Sequence, residues 1–189
     1  MRRKESEFKT IFFSESGTQK INNDYFGYVQ LDNYAIWVIA DGYDGEEGAN
    51  IASKLSVESA IEYFTAHPRF NKEVIKELFK YINDAIKQKQ EEIERYSLMH
   101  TSLLIVISNY NKILYGNIGN TRLYHIQGGY IVNQSSDDSV SQLLVQERAL
   151  DIKDIKSHRQ RNDLLQAIGD YSKIKPTISN EIKLLESDK

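Results

Sequence analysis

The chain has 189 residues, 40% of them apolar and twelve of them tyrosine, which suits one domain over residues 1–189 with a substantial core and argues against disorder. It has no cysteine, so disulfides, thiolate metal sites and cysteine nucleophiles are excluded, and a reducing cytoplasm is the fitting compartment. Its 24 cations against 27 carboxylates give a net charge of −3 without a long basic run, which points away from nucleic acid, and no apolar run approaches the ~20 residues of a membrane span.

Met1-Arg2-Arg3-Lys4 is basic, but no apolar signal segment follows. Phe8–Ser14 reads as a first strand, and the polar turn from Ser16 leads into a second near Tyr25. After the Asp32-Asn33 turn, Ala35–Ala40 is an unbroken apolar run, the pattern of a strand buried on both faces. It stops at Asp41-Gly42. A helix over about Gly48–Thr65 follows, with Ile51, Leu55, Ala60, Ile61 and Phe64 on one broad face. Asn71 is placed to cap a second helix, whose positions Val74, Ile75, Leu78, Phe79, Ile82, Ala85, Ile86 and Ile93 keep helical spacing. Its Lys/Glu-rich face reads as solvated.

Four strands with regular turn signals come next and read as a meander: Ser102–Ile107, Ile113–Ile118, Arg122–Ile126 and Tyr130–Asn133. Ser139-x-x-Gln142 is a capping-box pattern for a helix running to about Leu150. Asn162–Ile168 reads as a short helix ended by Gly169, and Ile182–Leu185 opens a further strand. Strands, two helices, strands, then short helices define an α+β layered sandwich with segregated helices.

The candidate site is Asp41. A carboxylate where a buried strand ends, followed by glycines at 42, 45 and 48 and a helix start, is held at the rim of a rigid sheet. The four histidines lack ligand spacing and read as structural or surface residues, and Arg122 as a structural ion-pair residue. Ser135–Ser139 reads as a capped loop.

Ala40-Asp41-Gly42-Tyr43-Asp44-Gly45-Glu46-Glu47-Gly48-Ala49-Asn50-Ile51-Ala52-Ser53 resembles Ala-Asp-Gly-x-Gly-Gly-x-x-x-Gly-x-x-Ala-Ser, a signature of the metal-dependent protein serine/threonine phosphatases of the protein phosphatase 2C type. Other segments match in the same order: Asn22-Asn23-Asp24, His100-Thr101-Ser102, Gly116 to Tyr124, Asp137-Asp138-Ser139 and His158 to Gly169. The resemblance implies two antiparallel sheets flanked by helices, with metals at one edge between the sheets. It implies Mn²⁺ or Mg²⁺ as cofactor, Asp41 as the bridging ligand, the Gly42 carbonyl as a second ligand, and Asp24 as a further carboxylate. A metal-activated water would then hydrolyse phosphoserine and phosphothreonine in a phosphorylated protein partner.

The chain also departs from that pattern. Gln19 stands where the family has a phosphate-gripping Arg, leaving neighbouring Lys20 as a point charge without the bidentate fork. Asn23 stands where the family has an acidic residue, Asn120 where it has Asp, Tyr43 where eukaryotic members carry His, and Asp44 where it has Gly. The family's last two metal carboxylates belong to motifs expected beyond Lys189, so the resemblance implies a fold incomplete at the C-terminus. Catalysis by this chain alone is expected to be weak or absent. The alternative reading is a pseudophosphatase acting as a regulatory, protein-binding module. An uncovered sheet edge is expected to favour dimerisation. Asp41 is the carboxylate on which ion binding should depend most, Asp24 less, and Asp44 and Glu46 little.

Overall fold

A computed structural model describes residues 8–43, 47–170, 173–186 and 188–189. Strands β1 (Asp24–Gln30), β2 (Ala35–Gly42), β3 (Thr101–Ser108) and β4 (Lys112–Ile118) are successive neighbours in an antiparallel sheet. Two short strands from the chain's end, here β7 (Thr177–Ile178) and β8 (Ile182–Lys183), close the far edge of β4. Between β4 and β7 in sequence, β5 (Tyr124–Gln127) and β6 (Tyr130–Gln134) form a separate hairpin. No helix among the described residues is long and apolar enough to cross a membrane.

Two helices cover one face of the sheet. Helix α1 (Ala49–Ala66) buries Ala52, Val57, Ala60 and Phe64, together with the small residues Ser53, Ser56 and Ser59. Those small side chains let it approach closely. A Cβ on Gly27 of β1 would come within 2.7 Å of the Val57 side chain. Helix α2 (Lys72–Glu92) starts where the Asn71 side chain accepts the Val74 N–H at 2.8 Å. Its face of Val74, Ile75, Leu78, Phe79, Ile82 and Ile86 is fully buried. Ile75 and Phe79 press so closely on β4 that a Cβ on Gly116 would lie 2.6 Å from Ile75.

Four expectations need correction. Ala35–Ala40 is buried mainly on its helix face: Ile36, Val38 and Ala40 are inaccessible, whereas Trp37 is half-buried and Ile39 is 45% exposed. An apolar run reads the same whether one face or both are covered. Second, Phe8–Ser14 joins no ladder. It lies across the open face through its side chains: Phe8 packs edge-on against Trp37, Phe12 against Phe26, and Trp37 Nε1 donates to Thr10 Oγ1 at 2.9 Å. Third, the four later strands are not one meander. Gly119, at φ 88°, turns the chain away from the large sheet, and among the described strands β5 and β6 form a two-stranded sheet of their own. Fourth, Asn162–Ile168 is not helical, because its backbone bonds go elsewhere. Val140 N–H donates to Asp163 O, Leu165 N–H to Asp138 O, and Ile168 exchanges both bonds with Thr101.

Helix α3 (Val140–Gln146) begins where expected, with Ser139 Oγ accepting the Gln142 N–H, the first of the two bonds of a capping box. It ends before Leu150, because Arg148 takes a left-handed conformation at φ 59° and the next two N–H groups both return to Leu144 O. The end of the chain folds back on the hairpin. Lys189 and Ile126 exchange backbone bonds, and the buried Asp188 carboxylate accepts from His125 Nε2 (2.8 Å), Gln127 Nε2 (3.1 Å) and Leu185 N–H (2.8 Å).

Candidate metal centre and its hollow

The register of β1 on β2 brings the two predicted carboxylates together: Asp24 and Asp41 are direct cross-strand partners. The Gly42 N–H donates to Asn23 O at 3.0 Å, so the Asp24–Asp41 pair falls between ladder bonds. That is the closer kind of antiparallel pair, with Cα atoms ~4.5 Å apart and side chains on one face. The face is the open one, shared with Trp37 and Ile39 and opposite the helices. Both aspartates are exposed. Like charges directly opposite each other repel, and a hard divalent ion with oxygen ligands is the partner that turns this repulsion into binding. The residues therefore fit one hydrated Mn²⁺ or Mg²⁺ ion. Among the described residues, no cluster of three or more His, Cys, Asp or Glu forms a fuller cage.

Gly42 has a role that the sequence pattern did not reveal. Its position leaves no room for a side chain: a Cβ would lie 2.2 Å from the carbonyl oxygen of Ala49, the first residue of α1. The helix start thus rests directly on the end of β2. Asp44 and Glu46 lie outside the described residues.

Asp41 lines a hollow of about 270 Å³ with Gly42, Tyr43, Asn120, Asn162 and Leu164. Several contacts shape its walls. Tyr43 stacks on the His100 ring at 4.6 Å, and its N–H donates to His100 O at 3.1 Å. Ser102 Oγ bonds Thr121 Oγ1 at 2.7 Å and reaches the Asp41 carbonyl at 3.4 Å, tying the Gly119–Thr121 turn to β2. Arg122 grips Asp137 with two donors, Nε to Oδ1 at 2.6 Å and Nη2 to Oδ2 at 2.5 Å. That bidentate bond holds the guanidinium well above its ordinary range, and Arg122 is the structural ion-pair residue expected of it. Burial pushes the Asp138 carboxyl up, against a bond from Gln166 Nε2 that pulls it down.

The structure does not bring every predicted residue into this hollow. Lys20 lines a separate one, with Gln19, Asn23, Glu47, Asn50 and Tyr96 at the start of α1. Asn23, next to Asp24, is its nearest link in sequence to the carboxylate pair. Asn162 was missed as a site residue, because it stands 42 positions from Asn120 and local pattern cannot place two such residues in one cavity.

The same layered α+β arrangement occurs in solved phosphatase structures. Serine/threonine phosphatase Stp1 from Staphylococcus aureus matches with a TM-score of 0.84 at 22% identity, over 98% of this chain and 77% of its own. The catalytic domain of the serine/threonine protein phosphatase PstP, in complex with two manganese ions, matches with a TM-score of 0.75 at 21% identity, over 90% of this chain and 70% of its own. By sequence, the chain is 27% identical over 186 residues to protein phosphatase PhpP of Streptococcus pneumoniae, covering 93% of this chain and 76% of that protein. The protein phosphatase 2C family model matches residues 14–170, and the chain belongs to that family.

Proposed function

We propose that this chain is a Mn²⁺- or Mg²⁺-dependent hydrolase of phosphoserine and phosphothreonine in proteins. The observation that carries the reading is the Asp24–Asp41 pair, set by register at the end of a sheet and facing away from the helices. The relatives named protein serine/threonine phosphatases, and the manganese ions of the PstP structure, support the substrate class and the metal.

In this reading Asp41 and Asp24 would hold the ion, with the Gly42 carbonyl as a further oxygen ligand, and the ion would supply charge to offset the phosphoryl oxygens and acidify a water. Water adds to phosphorus, the bond to the serine or threonine oxygen breaks, and a proton released by the attacking water ends on the leaving oxygen, giving the free hydroxyl and inorganic phosphate. The Asn120 and Asn162 amides line the hollow and can donate to phosphoryl oxygens without adding charge. The Tyr43 ring, held by its stack on His100, forms one wall of the hollow. Lys20 supplies positive charge from the neighbouring hollow. A phosphorylated protein is the partner. A second copy pairing along edge strand β1 is a further expectation, which light scattering at several concentrations tests.

Calorimetric titration with Mn²⁺, run beside turnover of a chromogenic phosphate ester, tests the site. Asp41→Asn should lose Mn²⁺ binding and turnover, and Asp24→Asn should weaken both by less. If Asp41→Asn binds Mn²⁺ as the wild type does, the assignment is wrong.

A further inference from the structure

We propose that the segment 148–161 is a docking strip for acidic residues flanking the phosphorylated residue of a substrate protein. The proposal rests on the phosphatase reading for the word substrate and on charge and geometry for the rest.

The chain as a whole is acidic, yet this stretch carries five cations (Arg148, Lys153, Lys156, Arg159, Arg161) against two carboxylates (Asp151, Asp154). The remainder of the chain carries 19 cations against 25 carboxylates. All five cations are exposed. Lys153 is paired with Asp151 at 3.2 Å. Among the described residues, no carboxylate lies within 4.0 Å of Arg148, Lys156, Arg159 or Arg161. A run of cations on a helix with i,i+4 carboxylates is ordinary solvated surface, as Lys80–Asp84 on α2 illustrates. In segment 148–161 only Lys153 has such compensation among the described residues.

Its placement gives the charge a direction. The stretch leaves α3 through the left-handed Arg148 and returns where Asp163 and Leu165 are bonded to Val140 and Asp138. Both ends are therefore tied to the core. Two tight turns, Arg161 N–H to His158 O and Asp163 N–H to Gln160 O, carry the strip into Asn162, a wall of the Asp41 hollow. An extended peptide advances ~3.3–3.6 Å per residue. With its phosphorylated residue over Asp41, side chains two to four positions away would lie ~7–14 Å off, the range in which the end of the strip at Arg161, next to Asn162, meets the hollow. The hollow is lined by Asp41, whose cross-strand partner Asp24 lines a separate one, and the two like charges repel acidic sequence. A row of unpaired cations at its edge offsets that repulsion and steers acidic flanks toward it.

Four peptides test this: one sequence with or without a phosphoserine, each with acidic or neutral flanks. The wild type should show a lower KM for the acidic phosphopeptide than for the neutral one, and the advantage should shrink as salt rises from about 50 to 500 mM. Lys156→Ala/Arg159→Ala should raise the KM for the acidic peptide about 2- to 30-fold with kcat and chromogenic-ester turnover unchanged. Arg159→Glu should raise it further, and Arg159→Lys should recover most of the loss. An unaltered KM ratio in the double variant overturns the proposal. If the wild type turns over no phosphate ester at all, the phosphatase reading fails separately. Fluorescence anisotropy of the labelled, unphosphorylated acidic peptide then decides. Binding that the double variant loses upholds the strip, and equal binding in both proteins overturns it. Displacement of that peptide by single-stranded RNA at a lower concentration than by the unlabelled peptide also overturns it.

Discussion

On the side that meets the helices, the sheet presents Ile36, Val38, Leu103, Ile105, Leu114 and Ile118, each at most 1% exposed; on the other side Ile39 is 45% exposed and Asp24 and Asp41 stand in the open. The same strands supply both faces, residue by alternate residue. The difference teaches where each kind of work can be done. An ionised carboxylate is too costly to bury unpaired, so the acidic pair belongs on the face that ions and substrate can reach. The helix face holds the strands in the register that sets the pair.

The largest effect should come from the helix face. Phe79→Ala removes a fully buried ring packed on Gly116 and should cost about 3–5 kcal/mol in urea unfolding, whereas Ile39→Ala on the open face should cost under about 1 kcal/mol. Equal losses at the two positions would break the comparison. A smaller effect of opposite sign is expected at the pair itself. Asp24→Asn relieves cross-strand repulsion, so without divalent ion the variant should be more stable by about 0.2–1 kcal/mol while binding Mn²⁺ more weakly. Thermal melts with and without Mn²⁺ check this, and a destabilised metal-free variant would show that repulsion is absent.

The smallest effect is a pH dependence in the loop beside the site. Burial raises the Asp138 carboxyl, so the folded chain holds its proton more tightly than the unfolded chain. Its contribution to stability is then full at pH values below the unfolded carboxylate value of about 3.9 and is lost as pH rises through the higher folded one. Asp138→Asn should lack that decline, so its melting temperature should gain on the wild type as pH rises above about 4. Parallel pH profiles would remove the assignment.

Local signals in the sequence were enough for the parts held by local forces. Asn71 and Ser139 cap their helices, and the buried face of α2 follows its 3.6-residue spacing. Asp41 stood out because it ends an apolar run. Asp24 opposite it depended on the family resemblance, since only register places two residues 17 apart side by side. Phe8–Ser14 has strand composition, but a strand needs a neighbour to pair with, and this segment contacts the sheet through rings instead. Residues 162–168 have helical spacing, yet Thr101, Asp138 and Val140 claim their backbone groups. The buried Asp188 was invisible for the same reason: its partners His125 and Gln127 lie some 60 positions earlier.

The contact between Gly42 and the first carbonyl of α1 bears on how the site moves. No flexible side chain lies between the strand end and the helix, so nothing soft absorbs a displacement. The Gly42 N–H is bonded to Asn23 and the Tyr43 N–H to His100, one on each side of the strand end. Asp41 therefore shares the clock of the helix–sheet body. Amide hydrogens at 42 and 43 should exchange only when that whole unit opens, as slowly as those in the middle of α1.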